Sequence, residues 1–291
     1  MYAELFSIIA PVFICAGIGF GWAKTGRPYD TELVTTLVTT VGGPCLIFNT
    51  LANIAFDGGA LLSMAGATLA TIVVFGLVGL AVLRLLGLSL RTFLPALMFP
   101  NAGNMGIPLS YLAFGDVGLA FGIAAFTVHS VLQFTLGVAL ASGSASLKAL
   151  ARVPLIYAVV LAVAFLALDI RPPEWLNNTT KILAGLTIPM MLITLGISLA
   201  RLAVTRMSRS LGLSVLRLVM GFLVGLGVAQ ALGLEGAARG VLILDSAMPA
   251  AVFNYLFAQR YNNAPEEVAG IVVISTALAF LILPALMWFV L

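Results

Sequence analysis

The chain has 291 residues, of which 62% are hydrophobic and 9% charged, with a mean hydropathy of +1.15 and a net charge of +3. Soluble domains carry about 25% charged residues, so this composition excludes a soluble fold and reads as an integral membrane protein in the lipid bilayer. The basic residues stand singly between apolar runs, a topology signal and not a binding patch, so no nucleic-acid partner is expected.

A membrane helix takes about 20 residues, and with short loops about ten fit this length. Span 1 covers 4–23; its start, "MYAELFSIIAPVF", has Glu4 and no Lys or Arg ahead of the apolar run, which reads as a retained helix and not a signal peptide. Span 2, 31–52, carries Pro44 followed by Asn49 and Thr50. Cys15 and Cys45 fall inside these two apolar runs and read as packing residues, not a disulfide framework. Span 3 covers 60–83, and span 4, 92–113, contains "PNAGNMGIP" at 100–108. Span 5, 117–140, holds His129 and Gln133; span 6 covers 153–169; span 7, 176–199, holds Pro189 and Thr194. Span 8, 210–232, holds Arg217; span 9, 237–259, holds Asp245, Ser246, Pro249, Asn254 and Tyr255; span 10 covers 267–290.

The odd-numbered connections hold ten of the 14 basic residues, among them Lys24, Arg84, Lys148, Arg152, Arg201 and Arg260. The even-numbered side holds only Arg171, Lys181 and Arg239. By the positive-inside rule the odd connections are cytoplasmic, including "SGSASLKALAR", and both termini face outward from a cytoplasmic (inner) membrane.

Prolines recur between the halves. Pro11 answers Pro154, Pro44 answers Pro189 and Pro108 answers Pro249, at offsets of 143, 145 and 141. Two repeats follow, 1–145 and 146–291, with five spans each. Because five is odd, the second enters the membrane from the opposite side. Inverted repeats place binding sites near the midplane in interrupted helices, and spans 4 and 9 are the interrupted ones, with breaks expected at Asn104–Pro108 and Asp245–Pro249. Irregular backbone at that depth persists only against protein or a water-filled cavity.

"PNAGNMGIPLSYLAFG", "DSAMPAAVFNYLFAQRYN" and "IPMMLITLGISL", together with the ten-span length, resemble the auxin efflux carrier family. That family includes plant auxin exporters and bacterial malate or malonate carriers, and the resemblance covers essentially the whole chain. It implies an all-α membrane protein of ten transmembrane helices in a five-plus-five inverted repeat, with spans 4 and 9 crossing at their prolines. Sodium–bile-acid symporters share this architecture. It further implies a dimerising scaffold of spans 1, 2, 6 and 7, a homodimer, and a mobile transport domain of spans 3–5 and 8–10. The short connection between spans 5 and 6 favours the bacterial type.

Candidate residues follow from the breaks. Asn101 and Asn104, flanked by Gly103 and Met105 and followed by Pro108, offer donors and acceptors, and a half-helix start adds positive dipole suited to an anion. The plainer reading is that these amides satisfy backbone freed by the proline. Asp245 stands at the proline offset from Asn104, deep in span 9. It reads as a proton carrier, a Na+ ligand, a partner for a helix-end dipole, or a locally capped structural residue. Ser246 is a second candidate ligand, beside Pro249. His129, the single histidine, cannot build a metal cluster; with Gln133 one turn on it forms a polar track for proton relay or for packing. Asn49, Thr50 and Thr194 follow matched prolines and either close the site from the scaffold side or bond between helices. Asn254 and Tyr255 are weaker candidates, and Arg217 either snorkels or neutralises an anion. No catalytic or nucleotide-binding motif appears, so no enzyme activity, metal or cofactor is expected beyond Na+ or H+ as coupling ion. The residues point to a carrier of a small organic anion by elevator-type alternating access, driven by gradients or membrane potential. A Na+-coupled symporter and a non-transporting sensor or channel are the alternatives.

Overall fold

In hydrocarbon the backbone must satisfy its own polar groups, so apolar runs become helix wherever proline and glycine permit. The computed structural model describes residues 2–53, 58–143, 154–168, 170–202 and 204–291, and these are helical with no strand among them. The connection carrying Lys148 and Arg152, and the boundary at 145/146, lie outside the described residues.

Helix α1 is Tyr2–Lys24. A second rod is made of α2, Thr31–Leu37, a π-helical turn at Val38–Gly42, and α3, Gly43–Asn53. Pro44 accounts for the wide turn: it has no N–H to donate, and the Gly43 N–H reaches back to the Val38 carbonyl. Next come α4, Gly58–Leu85; α5, Leu90–Met98; a π-turn at Ala102–Gly106; α6, Ile107–Leu132; a third π-turn at Gln133–Gly137; and α7, Val138–Ser142. The second half contains α8, Pro154–Ala167; α9, Glu174–Arg201; α10, Met207–Ala231; α11, Gly236–Ser246; α12, Val252–Arg260; and α13, Pro265–Val290.

Among the described residues seven runs are long and apolar enough to cross a membrane: 6–24, 31–53, 58–85, 102–142, 174–201, 207–231 and 265–290. The difference from ten has local causes. The run 102–142 is folded at Gly115, whose φ of 62° and ψ of −148° suit only glycine, so the residues read as the end of span 4 and as span 5 share it. Helices α8, α11 and α12 are 14, 11 and 9 residues long, too short to cross alone.

Two groups of helices make most of their contacts internally, with shared apolar clusters running between them. Helix α1 lies along α9, with Gly19 against the Ile193 carbonyl and Gly196 against the Ala16 carbonyl, and α3 packs on α8 and α9. Helices α4, α5, α6, α10, α11 and α13 pack mainly on one another.

The breaks differ from expectation in place. In the first half the helix stops at Met98, Phe99 is extended (φ −108°, ψ 105°), and helical turns resume at Ala102. The cause is Pro100, not Pro108: a residue before proline is pushed out of the helical region. Pro108 does not interrupt the helix: helical turns run from Ala102 through it, and the π-turn at Ala102–Gly106 accommodates its missing N–H. The second break, between Ser246 and Val252, does contain Pro249. The two breaks pair through an antiparallel bridge between Pro100 and Ala250. The Asn101 N–H donates to the Pro249 carbonyl at 2.7 Å, and the Ala251 N–H to the Phe99 carbonyl at 3.1 Å. The pairing is antiparallel, so opposed positions share a sum of 350 and not a fixed offset: Pro100 faces Ala250, Asn101 faces Pro249 and Phe99 faces Ala251.

Candidate functional site

The bridge leaves side chains to finish the crossing. Asn254 Nδ2 donates to the Phe99 carbonyl at 3.0 Å, and Gln133 Nε2 donates to Asn254 Oδ1 at 3.1 Å. The Ala250 N–H donates to Ser275 Oγ at 3.1 Å, tying the second break to α13. Asn101 caps the π-turn: its Oδ1 accepts from the Asn104 N–H at 3.2 Å, and its carbonyl from the Met105 and Gly106 N–H groups. Asn101 Nδ2, by contrast, is buried without a hydrogen-bond partner among the described residues.

Against this crossing lies a cavity of about 300 Å³, at the lower end of the range for small-molecule sites. One wall is the crossing: Pro100–Asn104 and Ala251–Phe253, with Tyr255 and Leu256. Phe126, His129 and Gln133 continue it along α6 and the third π-turn. The opposite wall comes from the rod of α2 and its π-turn (Thr31, Thr35, Val38, Thr39) and from α9 (Met191, Thr194, Ser198, Arg201). Both half-helix starts border the space, and α12 has no side-chain cap, so its first N–H groups have no partner within the helix.

The electrostatics are one-sided. Among the described residues no Asp or Glu lines the cavity, whereas Arg201 does. The guanidinium is held in place: Nη1 donates to Thr31 Oγ1 at 2.8 Å and Nη2 to the Tyr29 carbonyl at 3.0 Å. Tyr29 OH shares a 2.7 Å hydrogen bond with Thr194 Oγ1. Burial pushes the Tyr29 phenol up, against the opposing effects of Thr194 and Arg201, so it stays a neutral partner near pH 7.

Of the predicted residues, Asn101, Gly103, Asn104, His129, Gln133 and Thr194 line this cavity. Pro249 supplies the carbonyl that receives Asn101. Asp245 lies behind the lining, 2% exposed, its Oδ2 3.4 Å from His129 Nε2 and its Oδ1 against Gly106; neither oxygen has a hydrogen-bond partner among the described residues. Met105 points into the core at 0% exposure, and Ser246 is buried beside Asp245. Asn49 is placed elsewhere: its amide donates to Asn177 Oδ1 at 2.8 Å, where Asn53 also donates. Arg217 does not snorkel; it is fully buried.

Several lining residues were not singled out from sequence. Thr31, Thr35 and Thr39 recur at intervals of four, and Met191, Thr194, Ser198 and Arg201 at three, four and three. Each set marks one helix face, a signal that the prolines drew attention away from. Arg201 was read only as a topological charge.

The family described as "Membrane transport protein" matches residues 138–287, just over half of the chain. An uncharacterized transporter of Methanocaldococcus jannaschii is 22% identical over 205 residues, 67% of this chain and 66% of that protein. An uncharacterized transporter of Methanothermobacter thermautotrophicus is 26% identical over 190 residues, 63% of each chain. The chain thus spans slightly less than two thirds of these relatives.

Proposed function

Because the chain belongs to the membrane transport protein family, the auxin efflux carriers it resembles in sequence, we propose that it carries a small organic anion, a carboxylate, by elevator-type alternating access. Transport proteins of this family are not enzymes, and the long apolar helices make this chain a multi-pass membrane protein. One observation carries the substrate class: the cavity at the crossing has a guanidinium and amide donors in its wall and no carboxylate.

In this reading Arg201 supplies counter-charge, and Asn101 Nδ2, Asn104 and the first N–H groups of α12 hold the carboxylate. Charge-assisted bonds of this kind are about twice as strong as neutral ones. The chain crosses the membrane ten times as two inverted repeats, each broken helix counting as one crossing. Helices α1, α2–α3, α8 and α9 form the scaffold of a homodimer, and the others form the moving domain. The cavity's two walls support this division, since one comes from the rod and α9 and the other from the crossing. Sliding one wall past the other opens the cavity to alternate sides. A negative-inside potential favours exit of a monovalent anion by roughly 2.3 kcal/mol per 100 mV. A second reading, a Na+-coupled organic-anion symporter, draws on the unpartnered oxygens of Asp245.

Purified protein in liposomes, loaded with a panel of labelled mono- and dicarboxylates with and without Na+, tests both readings. Saturable exchange of a carboxylate, lost in Asn104→Ala, supports the carrier. Ion currents without exchange support a channel, and no flux of any carboxylate sinks the proposal.

A further inference from the structure

Arg217 heads the fully buried side chains by size among the described residues, and the transport step proposed above makes no use of it. Its Cζ lies 4.6 Å from the centroid of the Phe75 ring on α4. Its Nη2 donates to the Ser246 carbonyl at 2.9 Å, and Nε and Nη1 have no hydrogen-bond partner among the described residues. Helix α10 is shaped to place it there. Gly221 and Gly225 follow at intervals of four on the same face. A Cβ on Gly221 would strike the Ser246 carbonyl, and one on Gly225 would come within 2.7 Å of Ser246 Cβ. Small residues let backbones approach closely, so the end of α11 presses on α10 and the guanidinium reaches the Ser246 carbonyl among the last carbonyls of that helix.

Those carbonyls carry the negative end of the helix dipole. One residue earlier stands Asp245, whose carboxylate oxygens are buried without a hydrogen-bond partner among the described residues, with His129 Nε2 3.4 Å from Oδ2 on the other side. Carboxylate oxygens beside the carbonyls of a broken helix end are the ligand chemistry of a small cation. A buried charge also requires an opposite one nearby, and Asp245 is the carboxylate whose field acts on Arg217. We infer that Arg217 is a tethered cation: its guanidinium serves the site formed by Asp245 and the C-terminal carbonyls of α11, so no free metal ion is needed there. The inference goes beyond the anion cavity and does not depend on which anion is carried.

Thermal unfolding of the purified protein in detergent, with choline as the bulk cation, tests it. The wild-type midpoint is expected not to change when Na+ replaces choline or when millimolar guanidinium is added. Arg217→Ala is expected to unfold on the order of 10 °C lower in choline and to recover part of that loss in Na+ or guanidinium. Adding Asp245→Asn to Arg217→Ala is expected to raise the midpoint and abolish the cation response, which a purely packing role would not produce. Arg217→Lys is expected to keep most of the stability and to ignore added cations. Where Arg217→Ala does not accumulate, the double substitution decides: its accumulation supports the pairing, and its failure overturns it. A wild type stabilised saturably by Na+, or an Arg217→Ala loss indifferent to cations and to Asp245→Asn, also overturns the inference.

Discussion

Arg201 ends α9 at the mouth of the cavity, and its side chain is exposed enough that solvent screens part of its charge. Replacing it with Gln removes the charge while keeping a shorter side chain with hydrogen-bond donors. Arg201→Gln is therefore expected to raise the KM for the carried carboxylate about tenfold while changing kcat little, as measured by initial flux in proteoliposomes. A KM that does not move would remove Arg201 from the site. Asn254 has a different task, because it bonds the Phe99 carbonyl and receives Gln133 at 3% exposure. Asn254→Ala leaves the buried Gln133 amide without this partner and the Phe99 carbonyl with only the Ala251 N–H, so a loss of about 1–3 kcal/mol in stability is expected, read as a lower unfolding midpoint. Retention of the wild-type midpoint would mean the crossing does not depend on this amide. The polar residues of the break were legible because Asn101 and Asn104 stand out within an apolar run. Asn49 was not placeable in the same way. Ten residues beyond Thr39, it stands ~15 Å further along the axis, and spacing from Pro44 does not reveal which end of a rod meets a cavity.

At the scale of helices, prolines and glycines set the geometry, and their roles depend on place. Pro100 and Pro108 are eight residues apart, yet one stops a helix and the other is accommodated within one. Sequence located the interruption to within a turn. It chose the wrong proline because the repeat offset favoured Pro108, and the register of the crossing rests on backbone hydrogen bonds that no spacing encodes. Spans 1, 3, 7, 8 and 10 were legible to within a few residues, since uninterrupted apolar runs leave the backbone no alternative to helix. Glycines on α9 show the same dependence on place. A Cβ on Gly196 would strike the Ala16 carbonyl and come within 2.8 Å of the Phe20 N, while one on Gly185 would meet no atom of another element within 4 Å. Gly196→Ala is expected to push α1 from α9 and cost about 1–3 kcal/mol. Gly185→Ala is expected to be neutral or slightly stabilising, through helix propensity. Equal midpoints for the two variants in thermal unfolding would show that α1 and α9 do not pack as described.

For the whole molecule, the open question is whether a broken helix pair counts as one crossing. Helices α11 and α12 have 11 and 9 residues, giving ~16 Å and ~14 Å at the usual rise. Neither matches a hydrocarbon core of about 30 Å, but end to end they do. The alternative is a re-entrant loop that returns to the side it left. Such a loop would reverse the orientation of everything after it and carry Arg260 to the other side, reducing the basic-residue bias that assigns the sides from ten against three to nine against four. The two arrangements differ at residues flanking this one pair: Glu235 before α11 and Asn262 after α12, both exposed. With Cys15 and Cys45 replaced by Ala, Glu235→Cys and Asn262→Cys are expected to react with a membrane-impermeant maleimide from opposite faces, Asn262→Cys only once the cytoplasmic side is opened. Thr25→Cys, on the first basic connection, is expected to behave like Asn262→Cys. Reaction of Glu235→Cys and Asn262→Cys from the same face would make the pair re-entrant, and with it both the ten-span count and the inverted repeat would fall.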